Sequence, residues 1–299
     1  MKAATIDRSG PASELRYVDI DLPGVGPKDV RVKISAAAVN PVDVKTRSGA
    51  LGIDLQFPSV LGWDLAGTVD VIGAEVTKFR VGDAVMGMIA QPVREQGTYA
   101  EYVSVSEDLL APVPKGLSLE EAAAAPLTVL ASAQILSKID MPENASVLVT
   151  GAAGAVGRVT VQTLVKKGHQ VSGIARTTDE TDLTNLGVRA IYSTSEQVPD
   201  GVFDVVIDTA GIAASISGVR DGGEFISIAD NLQPQAQRGI TPKKSYVQEN
   251  ADQLAAIAIE LARGNLTVPV GPAYPLSEAA AAHAAFEQGG TRGKVLIVP

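Results

Sequence analysis

The sequence predicts an α/β fold: a doubly wound parallel sheet inserted in a β-rich unit. Three observations carry this. Residues 146–176 read as strand, glycine turn, helix and strand, a complete βαβ unit. Short apolar runs then alternate with helical segments up to Gly264, the texture of parallel strands buried on both faces. Before and after this block, short strands punctuated by glycines suggest a small, partly closed barrel.

The elements follow in order. Residues 17–21 and 30–36 read as strands separated by the turn PGVGPKD. The stretch AAAVNPVDVKTRSG, residues 36–49, leaves the second strand for a loop or short helix. Pro41 fixes its own φ and pushes Asn40 away from helical angles, so the Asn40 amide sits at a defined bend. Short strands alternate with Gly62, Gly67, Gly73, Gly82 and Gly87, and GTYAEYVSVS (97–106) adds a strand pair. Ser118 with Glu121 is a capping-box pair, and Pro126 interrupts the alanine-rich helix it opens before a second helix over 127–139. Within the inserted block, 189–193, 203–208 and 224–229 are candidate strands, and Tyr246 is assigned to a sixth. Asn250 and Gln253 open a helix that Gly264 closes; a helix from Ser277 and a strand over 294–298 end the chain. The expected domains are 1–122, 123–264 and 265–299, the last a return to the first, with a ligand cleft between the two lobes.

Composition narrows the function classes. The chain contains no Cys, which excludes disulfides and thiolate chemistry, and only two His. Its net charge is −9 without a Lys/Arg cluster, so no nucleic-acid partner is expected. No apolar run approaches the ~20 residues needed to span a bilayer. The first residues lack an apolar signal segment, and a cytoplasmic location is the expectation.

The glycine turn GAAGAVG, residues 151–157, lies between a strand and a helix, the context a dinucleotide motif demands. Ala152 stands in the first glycine place, with Gly154 and Gly157 in the second and third. The absence of a side chain at Gly154 lets a pyrophosphate approach the backbone; at Gly157 it lets the helix pack close to the strand. The candidate cofactor contacts in this turn are Gly151, Ala153, Gly154, Ala155 and Val156. At the end of the next strand, where an acid selects NAD, the chain has Arg176 followed by Thr177 and Thr178. A guanidinium matches a 2′-phosphate, so the expected cofactor is NADPH; Asp179 and Glu180 are near enough to neutralise it.

The phrases AAAVNPVDVKTRSG, LGWDLAGTV, VGDAV, GTYAEY, APLTVLAS, VLVTGAAGAVG, FDVVIDTAG and GGTRGKVLIV occur in this order. Together they resemble the zinc-independent medium-chain reductases, the quinone oxidoreductase or zeta-crystallin-like branch, over nearly the whole chain. The resemblance implies a GroES-like catalytic domain with an inserted Rossmann domain, a homodimer, and hydride transfer from NADPH to a quinone or an α,β-unsaturated carbonyl. It leaves two alternatives: a 2-enoyl or ketone reductase, or a non-catalytic NADPH-binding structural or regulatory protein. Zinc-containing relatives place a Cys where this chain has Asn40 and a His where it has Trp63; their four-Cys lobe is replaced by AQPVREQG, so no metal site is expected.

The resemblance also implies that Asn40 contacts the nicotinamide end and that Thr128 lies near the nicotinamide ribose. It places Tyr192 near the adenosine phosphate, Thr209, Ala210 and Gly211 at the cofactor crevice, and Ile228 and Ala229 on the carboxamide side. No catalytic proton donor is assigned. His169 and His283 are expected to be structural or exposed. Asp43, Lys45 and Arg47 admit two readings, a cleft lining and a charged loop surface; Tyr99 reads as core packing or a hydroxyl donor, and Trp63 as core.

Overall fold

The computed structural model describes residues 1–94, 96–229 and 233–299, with the backbone alone at Pro92 and Val93. Glu95, within the AQPVREQG stretch, lies outside the described residues. The chain divides into two compact units, Met1–Leu127 with Gln248–Pro299, and Thr128–Val247.

The first unit is built on the long strand Asp29–Ala38, which pairs antiparallel with Asp64–Ile72, Tyr102–Ser106 and Lys294–Val298. Val30, Val32 and Ile34 alternate into the core, where they meet Leu65, Val85 and Val103. Register shifts at Arg31/Val32 and Ile34/Ala36 bend the pairing, as extra residues in one strand do. The sheet runs Val270–Pro275, Lys294–Val298, Asp29–Ala38, Asp64–Ile72, Ala84–Met88, Leu110–Pro112, and a smaller three-stranded sheet is centred on Lys2–Ile6.

After Asp29–Ala38 the chain forms the helix Pro41–Ser48. Asn40 is its N-cap at φ −123°, ψ 158°, Pro41 fills the first helical position, and Gly49 ends it at φ +79°. The Ser118–Glu121 box forms as expected: the Glu121 N–H donates to Ser118 Oγ at 3.2 Å, and the Ser118 N–H to Glu121 Oε2 at 2.9 Å. Pro126 starts the next helix, Pro126–Leu136. The helix Ala251–Ala262, capped by Asn250, falls in the first unit, where Ala251 and Ala255 line a surface depression with Leu110 and Pro112. The helix Ala279–Gln288 and the strand Lys294–Val298 complete this unit.

The second unit holds a six-stranded parallel sheet in the order Ala190–Tyr192, Gln170–Ile174, Ser146–Thr150, Phe203–Asp208, Val219–Ser227, Lys243–Lys244. Numbered along the chain, this is 3-2-1-4-5-6, the doubly wound dinucleotide-binding order. Val147, Val149, Val205 and Ile207 enter one core cluster, and Leu148, Val206 and Phe225 enter the other. Alternate residues of each central strand are therefore buried on opposite faces, which explains the continuous apolar runs. The sixth strand, Lys243–Lys244, does not include Tyr246, which is 60% exposed with Lys244 Nζ over its ring.

Candidate cofactor site and buried polar cluster

The crossover after Ser146–Thr150 is shaped by its glycines. Gly151 adopts φ +59°, where a side chain is strained. Gly154 caps the helix Ala155–Lys166, and a Cβ at Gly157 would stand 2.2 Å from the Gly151 carbonyl oxygen. The third glycine is thus what allows the helix to close on the turn. Ala152, in the first glycine place, is buried and donates its N–H to Ile174 O at 3.1 Å. Gly151, Ala153, Gly154, Ala155 and Val156 remain accessible. The first intrahelical bond is Arg158 N–H to Gly154 O, 2.8 Å, so the N–H groups of the preceding turn have no acceptor within the helix.

Next to this turn, a buried carboxylate ties three strand ends together. Asp208 Oδ1 accepts from Thr150 Oγ1 at 2.6 Å and from the N–H groups of Gly211 and Ile212, each at 2.9 Å. Its Oδ2 accepts from Ser227 Oγ at 2.9 Å, and Ser227 Oγ accepts from the Ala229 N–H at 3.0 Å. Thr209 Oγ1 donates to Thr150 O at 2.6 Å. Thr209, Ala210, Gly211, Ile228 and Ala229 are thereby fixed at the carboxyl ends of the fourth and fifth strands, beside that of the first, where doubly wound sheets bind ligands. Ile228 and Ala229 lie just beyond Val219–Ser227 rather than inside it. The sequence reading passed over Asp208, although it stands within FDVVIDTAG.

Arg176 N-caps a short 3-10 turn, Thr177–Asp179, with Thr177 exposed beside it. Its Nε donates to Asp179 Oδ2 at 3.0 Å while its side chain stays 60% exposed. The neutralising acid anticipated from sequence is Asp179. Tyr192 closes the edge strand, half-buried against the second core cluster. Thr128 Oγ1 is buried with no hydrogen-bond partner among the described residues.

In the first unit, Asn40 anchors a buried polar cluster, and the strand register explains why. Ala38 pairs with Leu296, so continuing this antiparallel register by two residues sets Asn40 opposite Lys294. Ala38 also pairs with Asp64. Lys294 Nζ donates to Asn40 Oδ1, Asn40 Nδ2 donates to Asp64 Oδ2 at 2.9 Å, and Lys294 Nζ lies 3.6 Å from Asp64 Oδ2. Asp64 Oδ1 accepts the Leu127 N–H at 2.8 Å. Asn40, Asp64 and Lys294 are 1%, 0% and 5% exposed. Burial pushes the Asp64 carboxyl up and the Lys294 ammonium down, and each charge opposes the shift of the other.

A second chain of groups meets Asn40 from the helix side. The Asn40 N–H donates to Asp43 Oδ2 at 2.7 Å, as does Tyr99 Oη at 3.1 Å. Tyr99 Oη lies 3.2 Å from His283 Nε2, and His283 Nδ1 lies 2.9 Å from Arg47 Nη1. Arg47 Nη2 donates to Glu287 Oε1 at 2.7 Å. A guanidinium only donates, so His283 Nδ1 is the acceptor and Nε2 carries the ring proton. The donors therefore point one way: Arg47 to His283, His283 to Tyr99, Tyr99 to Asp43. Burial raises Asp43 to about 7, reinforced by the Asp64 charge and opposed by the Asn40 N–H. Burial and the neighbouring Arg47 charge lower His283 to about 3.

Asp43 and Arg47 are interior groups on a helix, so of their two readings the charged loop surface does not hold for them; desolvation is tolerated because their partners are at hand. His283 is structural, as expected, and meets the Tyr99 ring edge-on. Trp63 is half-buried, with Nε1 lacking a partner among the described residues.

A doubly wound sheet with a glycine crossover, joined in one chain to a bent, mostly antiparallel sheet unit, is the architecture of nicotinamide-dependent oxidoreductases. The chain matches the family descriptions "Alcohol dehydrogenase GroES-like domain" over residues 26–115 and "Zinc-binding dehydrogenase" over 174–297. It is 32% identical to a 2-methylene-furan-3-one reductase of Solanum lycopersicum, over 100% of this chain and 79% of that protein. It is 31% identical to an NADPH-dependent alkenal/one oxidoreductase, chloroplastic, of Arabidopsis thaliana, over 94% of this chain and 75% of the relative. Among solved structures, the quinone oxidoreductase of Coxiella burnetii superposes with a TM-score of 0.92 at 29% identity, covering 100% and 99% of the two chains. The protein belongs to the medium-chain dehydrogenase/reductase family, in its quinone oxidoreductase branch.

Proposed function

We propose that this protein uses NADPH to reduce a quinone or an α,β-unsaturated carbonyl, without zinc. The observation that carries the zinc-free part is the buried Lys294 ammonium bonded to Asn40, where zinc relatives place their first Cys ligand. An ammonium repels a divalent cation, and the Asn40 carboxamide is already engaged at both ends. Among the described residues no group of three or more His, Cys, Asp or Glu is arranged to hold a metal. The donor set does not fit zinc, and no step is routed through one.

The second unit does fit a dinucleotide, since the turn around Gly151 presents an accessible backbone where a Cβ at Gly157 would clash. When bound, NADPH supplies the hydride. The first-turn N–H groups at Ala155 and Val156 hold the pyrophosphate, with Gly151, Ala153 and Gly154 leaving room for it. Arg176 and Thr177 take the 2′-phosphate, and Tyr192 flanks the adenosine phosphate. Thr209, Ala210, Gly211, Ile228 and Ala229 line the nicotinamide side; Asn40 and Thr128 orient the nicotinamide and its ribose. Water completes the reduction by protonating the reduced oxygen or carbon. The names of the relatives, an alkenal/one oxidoreductase and quinone oxidoreductases, support this acceptor class. A homodimer belongs to the same reading and is checked by sedimentation.

The test is NADPH oxidation with 1,4-benzoquinone and, separately, with 2-hexenal. Turnover is expected with at least one acceptor and is unchanged by a chelator. Tight NADPH binding without turnover on either acceptor would leave a binding protein instead.

A further inference from the structure

Asn40 is held more firmly than an N-cap requires. Its backbone N–H, its Oδ1 and its Nδ2 are each bonded to a different buried ionisable side chain: Asp43, Lys294 and Asp64. The bond to Asp43 closes the capping box, but capping needs no buried charge: Ser118 and Asn250 cap other helices of this unit by accepting an N–H on the side-chain oxygen. Lys294 and Asp64 are costly to bury, and both address the carboxamide. Their signs also fix its orientation. Rotating the amide by 180° would set its NH2 against the ammonium and its oxygen against the carboxylate, so both contacts would turn repulsive. The second Nδ2 proton points to Ala38 O at 3.4 Å, so the carboxamide is held at both ends.

We propose that Lys294 and Asp64 are positioning residues for Asn40: as a charge pair they lock its carboxamide in one of its two orientations, the one in which it acts on the nicotinamide. This rests on the reading of Asn40 as a nicotinamide contact. Neither residue touches the reacting atoms in this role; both act through the amide.

The test is a double-mutant cycle with a second readout that does not need turnover. In the cycle, Asn40→Ala and Lys294→Met each lower kcat for NADPH oxidation by about tenfold, with KM for NADPH changed by less than about threefold. The double variant loses no more than Asn40→Ala alone, because residues acting through one group are non-additive. Additive losses, or a rise in KM at unchanged kcat, overturn the proposal. Lys294→Met leaves the Asp64 charge buried and unpaired, so Asp64→Asn/Lys294→Met is made as well. That variant removes both charges; it should fold and keep the lowered kcat, whereas wild-type kcat in it overturns the proposal. Lys294→Arg, which keeps a cation, should restore part of the loss.

The second readout is the fluorescence of bound NADPH, which reports the surroundings of the nicotinamide. Asn40→Ala, Lys294→Met and their double should alter the emission alike, with NADPH affinity within about threefold of wild type. Wild-type emission in Lys294→Met overturns the proposal. If the wild-type protein reduces neither acceptor, the activity reading fails while the emission still decides the role of Lys294.

Discussion

At the residue scale, Asp43 and His283 make opposing contributions to stability. Asp43 is raised to about 7 in the folded state. Between about pH 4 and 7 the folded protein holds a proton there that the unfolded chain has released, so this group's contribution falls as pH rises, by about 1.4 kcal/mol per unit. His283 is lowered to about 3. Between about pH 3 and 6.5 the unfolded chain holds a proton that the folded one lacks, so its contribution falls as pH drops, at a similar rate. The two cancel between about pH 4 and 6.5. Asp43→Asn should therefore make stability rise more steeply with pH over that range than in wild type, and His283→Gln should make it fall. Denaturant unfolding at several pH values checks both, and parallel profiles for all three proteins would contradict this account. Arg176 gives a second prediction: Arg176→Ala should weaken NADPH by about 1.5–3 kcal/mol, the scale of charged hydrogen bonds. NADH should be nearly unaffected, and titration with each cofactor reads the difference. Asp179→Ala frees the guanidinium from its present partner and should shift affinity the other way.

At the element scale, the crossover turn is the sharpest point of sequence control. Gly157→Ala places a methyl 2.2 Å from the Gly151 carbonyl oxygen, so the helix Ala155–Lys166 must move off the turn. A loss of about 1–3 kcal/mol in stability is expected, with a larger loss of cofactor affinity, as overpacking predicts. Thermal melts with and without NADPH measure both. This element was legible because its signals are local: a strand, three small-residue places and a helix within a few tens of residues. Asn40 was legible as a bend for the same reason, through Pro41. Lys294 and Asp64 were not singled out, although both stand inside phrases that carried the family resemblance. Lys294 reaches Asn40 across 254 positions and Asp64 across 24, and only the register of the barrel strands brings them together. Asp208 was missed for a related reason, since a strand-end acid reads as polar punctuation until the neighbouring strand ends are in place. Tyr246 was misplaced because a short edge strand leaves little periodicity to read.

At the scale of the whole molecule, the chain combines a parallel sheet whose crossover presents backbone N–H groups with a bent sheet unit that buries charge through side chains. The parallel, doubly wound sheet follows from alternating strand and helix signals, whereas its order 3-2-1-4-5-6 appears only once the strands are paired; the glycine-spaced strands form a seven-stranded sheet beside a three-stranded one. A ligand that binds only the folded state stabilises it by about 2.7 kcal/mol at a hundredfold excess over Kd. At equal concentrations NADPH should therefore raise Tm by a few degrees more than NADH, and scanning calorimetry reads this without any acceptor. Equal shifts would show that the protein does not prefer NADPH.

The polarity of the buried chain from Arg47 to Asp43 has a kinetic consequence. Arg47 caps the outer nitrogen of His283 with a proton that a guanidinium does not give up. No proton can hop inward from Glu287 along these groups, and Asp43 itself is 1% exposed. Its charge is therefore exchanged by breathing of the barrel rather than by conduction. After a sudden jump from acid to alkaline pH, the cluster should keep its old protonation until the barrel opens, a memory of past conditions stored in one carboxyl group.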